Sequence, residues 1–174
     1  MGLRTQRFDG DPRAALEEVY DKHANSLYQY ALMILADHGA AEDAVQQAFL
    51  QILKLGKRIM EINSHYDYLR MSVRNECYRM LKKRRRLDST VKRFTFNPLL
   101  ERLDQKIISD DEQRLIEDTI ARLPAEQREV LHMKVYENMT FQEIAQMIGV
   151  SMNTAASRYR YAMDKLRDVL GPGD

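Results

Sequence analysis

Five consecutive basic residues, at positions 82–86, are the feature of this 174-residue chain most suited to binding chemistry. Adjacent like charges repel one another unless a polyanion or a disordered tail accepts them. The run lies within residues 70–93, which hold ten basic and two acidic side chains, although the formal net charge of the whole chain is only +1. A smaller cluster, at residues 158–167, holds four basic residues and one Asp. This pattern predicts two separate surfaces that face anionic partners.

A second pattern, at residues 140–160, predicts a helix-turn-helix. Thr140 and Glu143 have the spacing of a capping box, which opens a short helix. Gly149 follows where a tight turn requires a positive φ, and Ser151 is placed to cap the next helix. Two helices joined in this way form the unit that inserts its second helix into the major groove of DNA. The outward side chains predicted for that helix suit base edges and phosphates: Met152, Asn153, Thr154, Ser157, Arg158 and Arg160.

The residue types that carry catalysis and metal binding form no recognisable constellation. The four histidines are scattered along the chain, and no spacing of Cys and His suits zinc. Neither of the glycine-rich phosphate-binding motifs is present. The single cysteine, Cys77, is expected to be a small core residue on the apolar side of a helix. We therefore expect a protein that is not an enzyme and that uses no metal or cofactor.

Helical periodicity extends over nearly the whole chain, so the predicted fold is all-α. The first helix is expected to start at Pro12 and to end near Gly39, with Tyr20 on its buried face. Residues 57–64 are expected to form a loop, after which a third helix runs from residue 63 or 64 into the basic run. These helices must position the basic and aromatic side chains of the first predicted surface.

The chain is expected to divide into two small helical domains, residues 1–87 and 109–174, joined by a flexible linker at residues 88–108. The second domain opens with a predicted capping box at residues 109–112, and Pro124 is expected to start its next helix. No apolar run approaches the ~20 residues that span a bilayer, and no secretory signal is visible. We therefore expect a cytoplasmic protein without membrane insertion.

Stretches in both halves of the sequence resemble bacterial sigma factors of the sigma-70 family. Conserved region 4 of that family is similar to residues 123–131 (LPAEQREVL), 140–145 (TFQEIA) and 151–158 (SMNTAASR), and its region 2.2 is similar to residues 41–50 (AEDAVQQAFL). Both halves occur in the family order and at the family spacing. The short length and the lack of a region 3 domain are typical of the extracytoplasmic-function (ECF) class.

The resemblance implies a factor that binds core RNA polymerase and directs initiation at promoters through their −10 and −35 elements. The clamp helices of β′ and the flap of β are the implied contacts on polymerase, and an anti-sigma factor is a further implied partner. Region 2.2 would dock on the clamp helices, and its matching positions here are Glu42, Asp43, Gln46 and Gln47.

The third helix resembles regions 2.3 and 2.4, which implies that it captures the non-template strand of the −10 element. Aromatic faces stack on unpaired bases while cations hold the backbone. The matching side chains are Tyr66, Tyr68, Arg70, Arg74, Asn75, Arg79, Lys82 and Lys83. The positions that match the −35-binding helix are Ser151, Met152, Asn153, Thr154, Ser157, Arg158 and Arg160.

Two other functions stay open on the sequence alone: a free-standing helix-turn-helix regulator, and a sigma mimic that binds an anti-sigma factor without directing transcription. The region 2.2 match favours the sigma factor over the regulator. The basic residues of both predicted surfaces favour it over the mimic. Ala155 and Ala156 differ from the usual residues of region 4, so a −35 preference is not inherited from relatives. Gln47 and the lack of Trp are departures in region 2, which bear on the implied contact with core polymerase and on strand opening.

Overall fold

The computed structural model describes residues 12–87 and 110–170 of the chain. Seven α-helices and one 3₁₀ helix make up the secondary structure of these residues, and no β-strand occurs among them. The all-α prediction is therefore confirmed. The chain divides into two compact units, Met1–Ser89 and Thr90–Asp174. The predicted linker at residues 88–108 lies outside the described residues.

Three helices pack against one another in the first unit: α1 (Pro12–Leu35), α2 (His38–Leu53) and α3 (His65–Leu87). The side of α2 that faces its neighbours carries small buried side chains, namely Ala40, Ala41, Ala44 and Ala48. Larger side chains from the neighbouring helices complete the core, among them Leu27, Ile34, Leu69 and Val73. Burying each such Leu, Ile or Val contributes about 1.5–3 kcal/mol relative to leaving it exposed. This packing fixes which side of each helix remains in water.

The turn between α1 and α2 differs from the prediction. The first helix ends at Leu35, and Ala36 adopts the left-handed conformation with a φ of 50°. Asp37 then caps α2, because its Oδ1 accepts the Ala40 N–H at 2.8 Å. The expectation that Gly39 ends the first helix is wrong, because Gly39 lies in the first turn of α2.

Two other predictions for this unit are corrected by the structure. Residues 57–64 are not a simple loop, because Gly56–Glu61 form a 3₁₀ helix whose Ile59 is buried. Its carbonyl accepts the Nε2 proton of the buried His65 at 2.8 Å, which ties this segment to the start of α3. Tyr20 is 52% exposed rather than buried, and its ring meets the edge of Phe49 with 5.0 Å between ring centres.

Four helices form the second unit: α4 (Asp110–Arg122), α5 (Ala125–Val135), α6 (Phe141–Ile148) and α7 (Met152–Leu170). Helix α7 packs against each of the other three through an inner side that includes Ala155, Ala162 and Leu166. Pro124 stands at the N-cap of α5, as predicted. Ser109, the predicted cap of α4, lies outside the described residues. Each helix among the residues described is too short or too polar to cross a membrane.

The predicted helix-turn-helix is present between α6 and α7. Thr140 and Glu143 form the predicted capping box, in which Glu143 Oε2 accepts the Thr140 N–H at 2.7 Å. Gly149 adopts a φ of 71°, and its N–H donates to the Ala145 carbonyl at 3.0 Å. Ser151 Oγ then accepts the Thr154 N–H at 3.0 Å and so caps α7. These local bonds fix the direction in which α7 leaves the turn.

Substitutions at the α1–α2 turn test the corrected helix boundary. Ala36→Gly should raise the free energy of unfolding by about 1 kcal/mol, because glycine adopts the left-handed conformation without the steric cost that Ala36 carries. Gly39→Ala should raise it by about 0.5 kcal/mol, because Gly39 lies within a helix and an added Cβ would approach nothing closer than 3.7 Å. Urea denaturation followed by circular dichroism measures both. Destabilisation by Gly39→Ala would restore Gly39 as the helix break.

The capping box makes the stability of the second unit depend on pH. The hydrogen bonds from the backbone and side chain of Thr140 lower the pKa of Glu143 below its usual 4.5. The carboxylate therefore stabilises the fold fully above pH 4.5, and this contribution is lost as the pH falls through the lowered pKa. Glu143→Gln should reduce the urea midpoint at pH 7, and the difference between the two proteins should shrink as the pH falls below 4.5 and through the lowered pKa of Glu143. A difference that stayed constant over this range would show that the charge contributes nothing.

Candidate nucleic-acid interface

The exposed side of α2 carries the four positions assigned to polymerase contact. Glu42, Asp43, Gln46 and Gln47 are all exposed, whereas the residues between them pack inward. Leu50 and Leu53, each 48% exposed, follow at helical spacing on the same side. The exposure of these two leucines was not predictable from the sequence, because an apolar residue at helical spacing more often belongs to a core.

The last turns of α3 present a row of exposed basic side chains, which we call the basic edge: Arg79, Lys82, Lys83 and Arg84. Asn75 is exposed one turn earlier on the same helix. The helical period places Asn75, Arg79, Lys82 and Lys83 within about 100° of one another around the helix axis, and Arg84 lies about 100° beyond Lys83. Four cations in so short a length attract a polyanion and cost little, because each remains in water.

Arg79 is held in place by a buried carboxylate. The Glu76 side chain is 5% exposed, whereas that of Arg79 is 64% exposed. Arg79 Nε donates to Glu76 Oε2 at 2.8 Å, and Arg79 Nη2 donates to the other carboxylate oxygen. The hydrogen bond and the charge of Glu76 raise the pKa of Arg79. The guanidinium is therefore fixed in orientation, with its remaining surface turned to solvent.

Arg70 does not belong to this exposed set, although the sequence placed it there. Its side chain is 7% exposed, and Nη2 donates to Asp67 Oδ1 at 3.0 Å. The guanidinium carbon also lies 5.2 Å from the centre of the Tyr66 ring. The reason is its place on the helix, next to Leu69 and one turn before Val73, both of which are fully buried. Arg70 thus supports the packing of α3 and is not available to a nucleic-acid strand in this conformation.

The two predicted stacking residues occupy different surroundings. The Tyr66 ring lies 4.6 Å from the ring of His23, and its hydroxyl is 3.2 Å from Ser26 Oγ. Burial and the nearby Lys22 lower the pKa of His23, which keeps this ring neutral beside Tyr66 at neutral pH. Tyr68 is half-buried. Tyr66, half-buried like Tyr68, therefore joins α1 to α3.

Arg74 is the remaining member of the set predicted for the −10 strand. It is half-buried, and its guanidinium carbon lies 4.7 Å from the centre of the Tyr78 ring. Stacking of a guanidinium on an aromatic face is favourable. The pair Arg74–Tyr78 therefore places a cation against a flat ring at the surface of α3.

Helix α7 exposes its first turn most fully. Met152, Asn153 and Thr154 are all exposed, and Met152 reaches 55%. Ser151 and Thr154 are partly engaged with each other, because their hydroxyl oxygens lie 2.8 Å apart within the cap. Asn153 is thus the exposed polar side chain of this turn that takes no part in the cap bonds.

Further along α7, the two arginines differ in exposure. Ser157 and Arg158 are half-buried, whereas Arg160 is exposed and its Nη2 lies 3.5 Å from Ser157 Oγ. Tyr161, 57% exposed, stands beside Arg160, with 6.0 Å from the guanidinium carbon to the ring centre. The exposure of Tyr161 was not predictable from the sequence, because a tyrosine in an amphipathic helix often belongs to the core.

Two family descriptions match this chain, and together they extend over well more than half of it. Residues 19–87 match the family described as "Sigma-70 region 2". Residues 113–166 match the family described as "Sigma-70, region 4". The first includes the exposed side of α2 and the basic edge of α3, and the second includes the helix-turn-helix.

Individual relatives extend over nearly the whole chain. The ECF RNA polymerase sigma factor SigL of Mycobacterium tuberculosis is 28% identical over 169 residues, 90% of this chain and 89% of that protein. The RNA polymerase sigma factor CarQ of Myxococcus xanthus is 25% identical over 168 residues, 95% of both chains. The sigma factor RpoE of Bartonella quintana, solved with the anti-sigma factor NepR, has a similar fold, with a TM-score of 0.67 and 19% identity over 90% of this chain and 96% of that one.

Both conserved regions therefore match this two-unit helical chain, with region 2 in the first unit and region 4 in the second. The relatives also have nearly the same length as this chain. Region 2 coincides with the three-helix unit that carries the basic edge, and region 4 coincides with the unit built around α7. The chain belongs to the sigma-70 family and is a transcription initiation factor of its ECF class.

Proposed function

We propose that this factor confers promoter recognition on core RNA polymerase by dividing the promoter between its two units. The first unit binds the unpaired non-template strand of the −10 element, and the second binds the −35 element as duplex. The observation that carries this proposal is the basic edge of α3, four exposed cations that follow directly on the half-buried Tyr68 and Arg74. Aromatic and guanidinium surfaces beside a basic row are the combination that single-stranded nucleic acid requires.

The −10 strand would use a subset of the residues that the sequence pointed to. Tyr68 stacks on a base, Arg74 and Asn75 contact its neighbours, and Arg79, Lys82 and Lys83 hold phosphates. Tyr66 and Arg70 act indirectly in this scheme, because Tyr66 contacts His23 of α1 and Arg70 is paired with Asp67 of its own helix. The role of Tyr66 is to hold α3 in position against α1, and that of Arg70 is to support the first turns of α3.

The −35 duplex would be read by the first turn of α7. Asn153 reaches a base edge, since an amide side chain pairs well with adenine in the major groove. Arg160, two turns further along, contacts a phosphate, and Ser151 and Thr154 support the cap. The half-buried Arg158 is a weaker candidate for a phosphate contact than the exposed Arg160.

The protein partners follow from the exposed side of α2. Glu42, Asp43, Gln46 and Gln47 present carboxylates and amides that would accept hydrogen bonds from basic residues of the β′ clamp helices, and the second unit would meet the β flap. The structurally similar sigma factor RpoE of Bartonella quintana was solved in complex with an anti-sigma factor. A partner of that class is proposed for this chain too. Region 2.2 and the exposed basic edge favour this function over a free-standing regulator or a sigma mimic.

Replacing Tyr68 tests the single-strand assignment. Tyr68→Ala should reduce open-complex formation with core polymerase by the equivalent of about 1–3 kcal/mol, the usual value of one base–aromatic stack. A template that is already melted at the −10 element should restore activity, because the strands no longer have to be separated. Tyr68→Phe keeps the aromatic face and serves as the matched control. Equal losses on duplex and premelted templates would contradict stacking by Tyr68.

Two substitutions on α7 separate base reading from phosphate binding. Arg160→Ala should weaken binding of holoenzyme to all −35 sequences alike and reduce the salt slope by about 0.9, the value for one phosphate contact on duplex DNA. Asn153→Ala should instead relax the preference at one base pair, by about 1–3 kcal/mol, with an unchanged salt slope. Competition binding over a salt series measures both. If a template premelted at the −10 element restored the activity of Arg160→Ala, Arg160 would not be a contact to the −35 duplex.

A further inference from the structure

An ion pair joins the basic edge of α3 to the turn before α2. Arg84 Nη2 donates to Asp37 Oδ2 at 2.9 Å, and the two residues are 47 positions apart in the chain. The Asp37 side chain is 18% exposed, and that of Arg84 is 43% exposed. The contact therefore lies at the surface, where the arginine can also be reached from solvent.

The helix cap fixes Asp37 at this place. Its second oxygen, Oδ1, accepts the Ala40 N–H at 2.8 Å, the bond that starts α2. The carboxylate is thus held by the backbone of one helix while it accepts a bond from the side chain of another. Arg84 is the member of the basic edge that reaches back to it, and Lys82 and Lys83 are exposed beside it on α3.

A carboxylate at this position has the chemistry of a phosphate. Both groups bind a guanidinium through the same short, charge-assisted hydrogen bonds to anionic oxygen. A partly exposed ion pair of this kind is weak, because water and salt screen it. A phosphate group can therefore replace the carboxylate, but the ion pair between Arg84 and Asp37 must break first, which lowers the net gain from the new contact.

We propose that Asp37 competes with DNA for Arg84. In the chain without DNA, Asp37 neutralises this arginine, and a phosphate of the −10 strand displaces the carboxylate before Arg84 binds. The proposal rests on the proposed function of α3 and extends it, since it makes Arg84 a DNA contact and Asp37 an internal competitor that lowers the affinity for polyanions.

The test removes the charge of Asp37 and keeps the helix cap. Asp37→Asn and Asp37→Ser both retain a good N-cap, so α2 should fold as before. Arg84→Gln and the double variant Asp37→Asn/Arg84→Gln complete the cycle. Glu18→Gln, at an exposed position on α1, removes the same unit of charge elsewhere and is the matched control. The full chain is titrated against a fluorescein-labelled oligothymidine over a salt series, and circular dichroism checks the fold of each variant.

Arg84 binds a phosphate with or without Asp37, so Asp37→Asn and Asp37→Ser should raise the affinity for the oligothymidine about 1.4- to 5-fold, the strength of a surface ion pair, and leave the slope of log affinity against log salt unchanged. Arg84→Gln removes one phosphate contact and should therefore reduce that slope by about 0.7, the value for single strands, in the otherwise unchanged chain and in the Asp37→Asn background alike. The double variant should show no gain in affinity over Arg84→Gln alone.

Three results would overturn the proposal. A slope left unchanged by Arg84→Gln in the otherwise unchanged chain would mean that Arg84 binds no phosphate. An equal gain from Glu18→Gln would assign the effect to net charge. A gain that persists in the double variant would assign it to another cation. Transcription from a premelted template with core polymerase tests the proposed function separately, because failure there with the affinity gain of the Asp37 variants retained rejects the −10 assignment but not the competition.

Discussion

The division of each helix into a buried and a solvent-facing side governs every surface of this protein. Alanines on the inner side of α2 pack against α1 and α3, and this packing determines that Glu42, Asp43, Gln46 and Gln47 face outward. Ala155, Ala162 and Leu166 do the same for α7, leaving Asn153 and Arg160 in water. Because the period of the helix is fixed, moving the core by one residue would rotate each binding surface by about 100°. The hydrophobic core therefore specifies the recognition surfaces as well as the stability.

Features determined by a few neighbouring residues were predictable from the sequence. The capping box at Thr140 and the positive φ of Gly149 are of this kind, since each follows from the chemistry of one turn. The end of α1 was not predictable in this way. Ala36 is an ordinary helix former, and its left-handed conformation follows from how α1 and α2 pack and from the Asp37 cap, not from its own preference. Because Gly39 is a typical helix-ending residue, the predicted end of α1 was placed near it instead of at Leu35.

Site residues were predictable by type but not by the side of the helix on which they lie. Arg70 and Arg79 look alike in a basic stretch, yet one is buried against Tyr66 and the other is exposed above Glu76. The two arginines differ only in where they lie around the helix relative to the buried Leu69 and Val73. In a helix as polar as α3, shifting the predicted buried side by one residue would change which arginine is expected to be buried. Tyr161 shows the opposite case. Its aromatic ring favours a prediction of burial, yet the side chain is exposed.

The buried carboxylate of Glu76 has a consequence for how tightly the basic edge can hold a strand. A flexible arginine carries about 2 kcal/mol of rotamer entropy, part of which is lost when it binds a ligand. Arg79 is already confined by its paired hydrogen bonds to Glu76, so much of that loss occurs when the protein folds. In the proposed complex, Lys82 and Lys83, on flexible four-carbon stems, would lose it only on binding the nucleic acid. The basic edge thus combines a preorganised cation with adaptable ones.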